Sequence, residues 1–458
     1  METYGSLAIG NPDGLVFGRC PRPLALRGLD IGGGQVYPEI NFTLPPMAVT
    51  EQAMPEVLEE YRQMADGVLA RAVALQVPGI SVELELLPEL TRVPSWGAQV
   101  TALLRERLDH YRDRAGLRSV LRVTPNDNRD FVRPPLMRRG AELDHMVESF
   151  AMCARAGADM LSIESTGGKE LNDDALLNGD LHLAVFSLGV LAARDMAFLW
   201  DTIVGIARDN AVVPAGDSAC GFANTAMTLA NGGFVPHVWA AVVRVLSIPR
   251  SLVAYERGAL GPSKDCAYEG PFLKAITGYP IAMEGAEAAC AHESPVGNIS
   301  RAAADLWSNE SVQNVKLLGG MAPKVSMEQL AYATRLMNVA ASRGRALELR
   351  DWLVASDAAL DPQAYVLRPE VVVEIAGEIV AEASPYQRTR RAALVALHAL
   401  RSASSDGVLT LSPPEQRWLA RLSTQADELP EDEGDFIDRA LAHVGTDKVR
   451  LGQYGLTA

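Results

Sequence analysis

Cys220 and Cys266 are the residues whose surroundings point most directly to chemistry. Cys220 lies in Gly216-Asp-Ser-Ala-Cys-Gly-Phe-Ala-Asn-Thr-Ala-Met227 and Cys266 in Gly261-Pro-Ser-Lys-Asp-Cys-Ala-Tyr-Glu-Gly-Pro271. Both segments are small, polar and glycine-containing, so a thiol there has no evident packing role. A third candidate, Glu164, closes the apolar run Asp159-Met-Leu-Ser-Ile-Glu164. Two thiolates and a carboxylate make a three-ligand set for Zn2+ that leaves one coordination position open, as catalytic zinc requires.

The residues alone leave a second reading open, because an isolated cysteine commonly packs as a small hydrophobe. Cys153, in Ser149-Phe-Ala-Met-Cys-Ala-Arg-Ala156, fits that description. Cys20 has no neighbouring histidine or acid, and Cys290 has His292 two residues on but no further ligand. Acidic strand ends such as Glu164 also arise for many reasons. Other motifs fall away: Gly32-Gly-Gly34 and Gly167-Gly-Lys169 lack the spacing and hydroxyl of a phosphate loop, and no HExxH occurs.

Residues this far apart need a fold that gathers them. After a Gly/Pro-rich opening at 10–34, the first strand reads over 39–44. An amphipathic helix follows over 54–76, with Leu58, Tyr61, Met64, Val68, Leu69, Ala72 and Leu75 at helical spacing. Further strands read over 80–86, 119–124, 159–164, 211–215, 251–255, 280–283 and 312–318, with helices at about 96–114, 142–156 and 181–208. Eight strands alternating with helices, without hairpin signals, predict an α/β fold: a (β/α)8 TIM-type barrel, with an open doubly wound sheet as the alternative. Beyond residue 344 the strand pattern stops. Helices read over 370–383, 387–402 and 414–426, then an acidic stretch at 427–435 and a last helix through Ala442. The expected organisation is a catalytic barrel over 1–344, N-terminal extension included, and a helical C-terminal appendage over 345–458.

Barrel enzymes carry their chemistry at the strand C-termini. On this reading Glu164 closes the fourth strand, Cys220 follows the fifth and Cys266 follows the sixth, so all three converge on one side of the mouth. Composition sets the outer bounds. A net charge of −15 over 458 residues disfavours nucleic acid and anionic lipid. No run approaches the roughly 18 apolar residues of a membrane span. The start lacks the features of a signal peptide. Five cysteines, an odd number, fit a reducing compartment. The expectation is a cytoplasmic protein with no membrane and no nucleic-acid partner.

The two cysteine segments, the second extended to Gly278, together with Gly32-Gly-Gly-Gln-Val-Tyr-Pro-Glu-Ile-Asn-Phe-Thr-Leu-Pro45, closely resemble the zinc-containing, methanol-activating subunit of methanol:corrinoid methyltransferases. The likeness extends over nearly the whole chain. It implies a (β/α)8 barrel whose zinc is held by Glu164, Cys220 and Cys266, with methanol as methyl donor and a separate corrinoid protein supplying cobalamin as acceptor. It also implies a homodimer within a heterotetramer. A corrinoid-binding D-x-H-x-x-G loop is matched no better than Asp180-Leu-His-Leu-Ala-Val185, where Val replaces Gly in a helical pattern. The corrinoid is therefore expected on the partner.

Zinc in such a site acts as a Lewis acid on the alcohol oxygen. Asp217, Asp265 and Lys264 flank the ligands as proton donors or as holders of the ligand loops. Alternatives are the same chemistry on a methoxylated aromatic or a methylated amine, a non-catalytic docking subunit, or a zinc hydrolase, which the missing histidine ligands disfavour.

Overall fold

Most strands of the N-terminal region are buried on both faces, the signature of a parallel sheet wrapped by helices. The computed structural model describes residues 3–264, 267–285, 295–312, 316–317, 320–445 and 448–456. An antiparallel hairpin comes first, β1 (Arg19–Leu26) with β2 (Leu29–Gly33). Seven strands then form one parallel sheet: β3 (Tyr37–Thr43), β4 (Ile80–Glu85), β5 (Ser119–Thr124), β6 (Met160–Ile163), β7 (Val213–Asp217), β8 (Ala282–Glu284) and β9 (Leu306–Val312). Their order is β7-β6-β5-β4-β3-β9-β8.

The gap between β7 and β8 is filled by residues 260–263. Leu260 N–H donates to the Pro214 carbonyl at 2.8 Å, and Ala282 N–H donates to the Ser263 carbonyl at 3.1 Å. The sheet is thus a (β/α)8 TIM-type barrel with an irregular segment in the remaining strand position. Close approach there demands glycine: a Cβ on Gly216 would lie 2.9 Å from Ser263 Cα.

Four expectations need correction. The apolar run at 251–255 is not a strand but the end of helix His237–Arg257. Most of that helix is buried, so its apolar residues show no helical stripe and read as a buried strand would. Of the strand expected at 312–318, Val312 ends β9, which lies earlier because Ser308 and Glu310 interrupt its apolar pattern. Lys316–Leu317 pairs antiparallel with Gly320–Met321, and 313–315 and 318 lie outside the described residues. The opening expected to precede the strands contains the hairpin, masked by Pro21, Pro23 and its glycines. Two helical stretches, Leu181–Asp209 and His237–Arg257, do reach membrane-spanning length and hydropathy. Their most apolar windows are 78% and 100% buried inside the protein, so packing accounts for that composition.

The barrel interior is layered. At the N-terminal end of the strands, Leu29 and Ile31 of the hairpin pack on Tyr37, Val120, Met160, Ala215, Ala282 and Leu306, an apolar plug. Above it Arg122, with no exposure, donates to Glu39 at 3.1 Å and to Ser162 Oγ and the Pro262 carbonyl at 2.8 Å each. Ser81 Oγ also donates to Glu39, at 2.6 Å. One guanidinium thereby links β3, β5, β6 and the closing segment. Helices Pro369–Val380, Pro385–Ser405, Pro413–Asp427 and Glu433–Leu441 lie close to their expected positions. Pro385–Ser405 packs along His237–Arg257 in a shared hydrophobic core.

Removing one partner of such a buried pair strands the other's charge. Arg122→Met is expected to lower unfolding stability by about 3–5 kcal/mol in urea titrations followed by tryptophan fluorescence, with Glu39→Gln added to it recovering part of the loss.

Candidate active site at the barrel mouth

Polar residues accumulate toward the C-terminal ends of the strands. Glu164 follows β6 directly, its side chain about a quarter exposed. The buried Lys264 ammonium stands 3.0 Å from Glu164 Oε1, 3.4 Å from Glu85 Oε2 and 3.5 Å from Glu83 Oε1. Burial pushes the Glu164 carboxyl up to about 7, with Lys264 pulling against it and Glu85 raising it further. Burial likewise carries Glu83 to about 8 against the pull of Lys264 and Arg122. Glu83 accepts from Thr124 Oγ1 at 2.7 Å, and its Oε2 has no hydrogen-bond partner among the described residues.

Cys220 opens a single π-helical turn, Cys220–Asn224, leading into helix Thr225–Asn231. Such turns recur at functional sites. Asn224 Nδ2 donates to Cys220 Sγ at 3.6 Å. Glu164 and Gly221, the residue after Cys220, line one cavity of about 180 Å³ together with Glu85, Thr124, Asp127, Asp130, Phe131 and Thr166. Asp265 and Cys266 lie outside the described residues. Among the described residues no three His, Cys, Asp or Glu side chains gather closely enough to hold a metal ion.

The loops are held by buried residues of helix His237–Arg257 and of the second cysteine segment. Arg250, fully buried, donates to the Ser165 carbonyl at 3.1 Å, to Ser165 Oγ at 2.5 Å and to Asp217 Oδ1 at 2.9 Å. Its guanidinium also lies over the Phe222 ring, 5.0 Å from the centroid. Asp217 further accepts from Trp200 Nε1 at 3.1 Å and from Ser165 N–H at 3.3 Å. Glu269 Oε1 accepts from Ala219 N–H and from Ser251 Oγ, both at 2.8 Å, and Arg250 Nη1 reaches the same serine hydroxyl at 3.1 Å. These contacts fasten the residues next to Glu164 and Cys220 to Glu269, three positions beyond Cys266.

Sequence reasoning placed Glu164 and Cys220 and named Lys264, but missed Arg250, Glu269, Glu85 and Asp130. Arg250 and Glu269 leave no signal, since a buried side chain's direction is not written in its neighbours. Asp130 does leave one: Thr124-Pro-Asn-Asp-Asn-Arg-Asp130 is a polar run directly after β5, where barrel loops carry function.

A closed parallel barrel with acids, a thiol and a lysine at its strand C-termini has the form of a barrel enzyme. The family model for the methanol-cobalamin methyltransferase B subunit matches residues 1–455, and the chain belongs to that family. A methanol–corrinoid protein co-methyltransferase of Methanosarcina barkeri (strain Fusaro / DSM 804) is 37% identical over 448 residues, 96% of each chain. A chain in the crystal structure of the methanol:cobalamin methyltransferase complex MtaBC from Methanosarcina barkeri superposes with a TM-score of 0.95 at 36% identity, covering 100% of both chains.

Two measurements check this electrostatic description. Arg250→Met leaves the Asp217 carboxylate buried without its cation, and a stability loss of about 3–5 kcal/mol is expected in denaturant titration. Glu83 titrates near 8 in the folded protein against an ordinary 4.5, so its contribution to stability is full below 4.5 and lost as pH rises through about 8. The melting temperature of metal-free protein should therefore fall from mildly acid to mildly alkaline pH, and Glu83→Gln should flatten that slope in calorimetry.

Proposed function

We propose that this protein takes the methyl group of methanol and passes it to the cobalamin of a partner corrinoid protein, with Glu164, Cys220 and Cys266 holding a zinc ion at the barrel mouth. The observation that carries the reading is the network of Arg250 and Glu269, which ties Ser165, Asp217 and Ala219 to the segment bearing Cys266. Two thiolates and a carboxylate are donor types that zinc takes. Glu164 already attracts a cation, Lys264, to its Oε1, and the residue after Cys220 lines the same cavity. A relative named for methanol and a corrinoid protein, at 37% identity over nearly the whole chain, supports the substrate and acceptor. The proposed assembly is a homodimer carrying two corrinoid subunits, in the cytoplasm.

Zinc bound there supplies Lewis acidity toward an alcohol oxygen. The chain's own residues prepare the surroundings. Lys264 offsets the charge of Glu83, Glu85 and Glu164, which would otherwise repel one another in a poorly solvated mouth. Asp217, with Arg250, Trp200 and Ser165 all bonded to its carboxylate, acts as a positioning residue that fixes the Cys220 loop rather than as a proton donor. Asp265 is assigned the same holding role on the other loop.

Cys220→Ala and Cys266→Ala are each expected to abolish methanol-dependent methylation of the corrinoid protein and to lower zinc content in metal analysis. Cys153, buried in helix Ala141–Ala156 with its thiol pushed up to about 11 by burial, should tolerate the same change in both assays. Full zinc retention in both loop variants would end the ligand assignment. Activity on a methoxylated aromatic or a methylated amine, with none on methanol, would end the choice of donor.

A further inference from the structure

The turn after β5 brings to the cavity a carboxyl that the zinc reading does not use. Asp127 Oδ1 accepts the Arg129 N–H at 3.2 Å and so caps the turn Asn128–Phe131. The Arg129 guanidinium clamps both oxygens of Asp127 at 2.8 Å and both oxygens of Asp195 at 2.9 Å. Thr166 N–H donates to Asp127 Oδ2 at 2.9 Å, fastening the turn to the segment that follows Glu164. Among the described residues none of these side-chain bonds reaches the Asp130 carboxyl. Asp130 Oδ1 is buried with no hydrogen-bond partner among the described residues, and Asp130 lines the same cavity as Glu164 and Gly221.

The other acids of this cavity are committed. Glu164 is the proposed ligand, Asp127 is saturated by Arg129 and Thr166, and Glu85 accepts from Asn41 at 2.7 Å while facing Lys264. We propose that Asp130 is the catalytic acid that protonates the oxygen leaving the methyl group, a role that rests on the methyl-transfer reading above. In that step the C–O bond of methanol breaks with its electron pair passing to oxygen. The methyl carbon bonds to the two-electron-reduced corrinoid cobalt of the partner, which supplies the pair for the new bond. The Asp130 proton joins the departing hydroxide to give water, and solvent reprotonates the carboxylate left behind.

The surroundings suit a proton donor. Burial raises the Asp130 carboxyl to about 6, the Asp127 charge adds to that, and Arg133 and Lys169 pull the other way. Glu85 and Glu164 line the same cavity, and Glu170 and Lys448 line a smaller one that Asp130 shares. An acid that must be protonated loses effectiveness above its titration point.

Asp130→Asn keeps the shape and removes the proton. The zinc-loaded variant is expected to match wild type in metal content, circular dichroism and corrinoid-protein binding, and to methylate the corrinoid from methanol about 100-fold more slowly or worse. Wild-type rates should fall about tenfold per pH unit on the alkaline side, and that limb should be missing in Asp130→Asn but present in a partly active Asp130→Glu. In metal-free protein, carboxyl NMR should show an aspartate signal titrating near 6 that Asp130→Asn lacks. A folded, zinc-loaded Asp130→Asn that works at the wild-type rate, or is slow yet keeps the alkaline limb, overturns the role alone. A wild-type protein that transfers no methyl group from methanol at any pH overturns the underlying reading and this role with it.

Discussion

The barrel mouth depends on one buried cation, Arg250. A guanidinium without solvent contact is tolerable only when its donors are answered by charge and by oriented carbonyls or hydroxyls. Here the answers come from Asp217 at the end of β7, from Ser165 after β6, and from Ser251, which in turn holds Glu269. The two terminal nitrogens of Arg250 are answered, Nε having no hydrogen-bond partner among the described residues, and those bonds fix three loops at once. Glutamate and cysteine residues standing next to those anchor points inherit their positions. The cation sits on a helix behind the site, so geometry is imposed from outside the cavity and the cavity itself stays open.

The interior of the barrel grades from apolar to ionic along its axis. Leu29 and Ile31 meet the first residues of the strands, Arg122 and Glu39 occupy the middle, and Lys264 among three carboxylates marks the mouth. Each step up the axis replaces hydrophobic burial by paired charge. The order follows from topology, since the strand C-termini are where loops of any composition can be added without disturbing the packed base. Burial raises the carboxyls of Glu83 and Glu164 in that charged layer, against the pull of Lys264.

Much of this was legible in the sequence, and the failures have physical causes. β5 was read at its observed bounds because its apolar run is bracketed by a glycine-ended helix and a Pro-Asn turn. The helices beyond residue 369 were plain because each shows helical periodicity. Residues 251–255 misled because a helix buried nearly all round presents no polar stripe, and β9 was misplaced because a strand lining a polar mouth carries Ser308 and Glu310 inward. At the site, Glu164 stood out as an acid closing an apolar run, and Cys220 as a thiol in a small, glycine-bearing loop with little to gain from packing. Arg250 and Glu269 stayed hidden, since a charged residue inside an apolar helix or in a polar, glycine-bearing segment looks like surface until its partners are known.

The hairpin of β1 and β2 has a consequence for traffic. Its leucine and isoleucine side chains stopper the lower end of the cylinder, and the cavity beside Glu164 lies at the other end. If the proposed function holds, the alcohol and the acceptor approach from that one end, and the alcohol enters first.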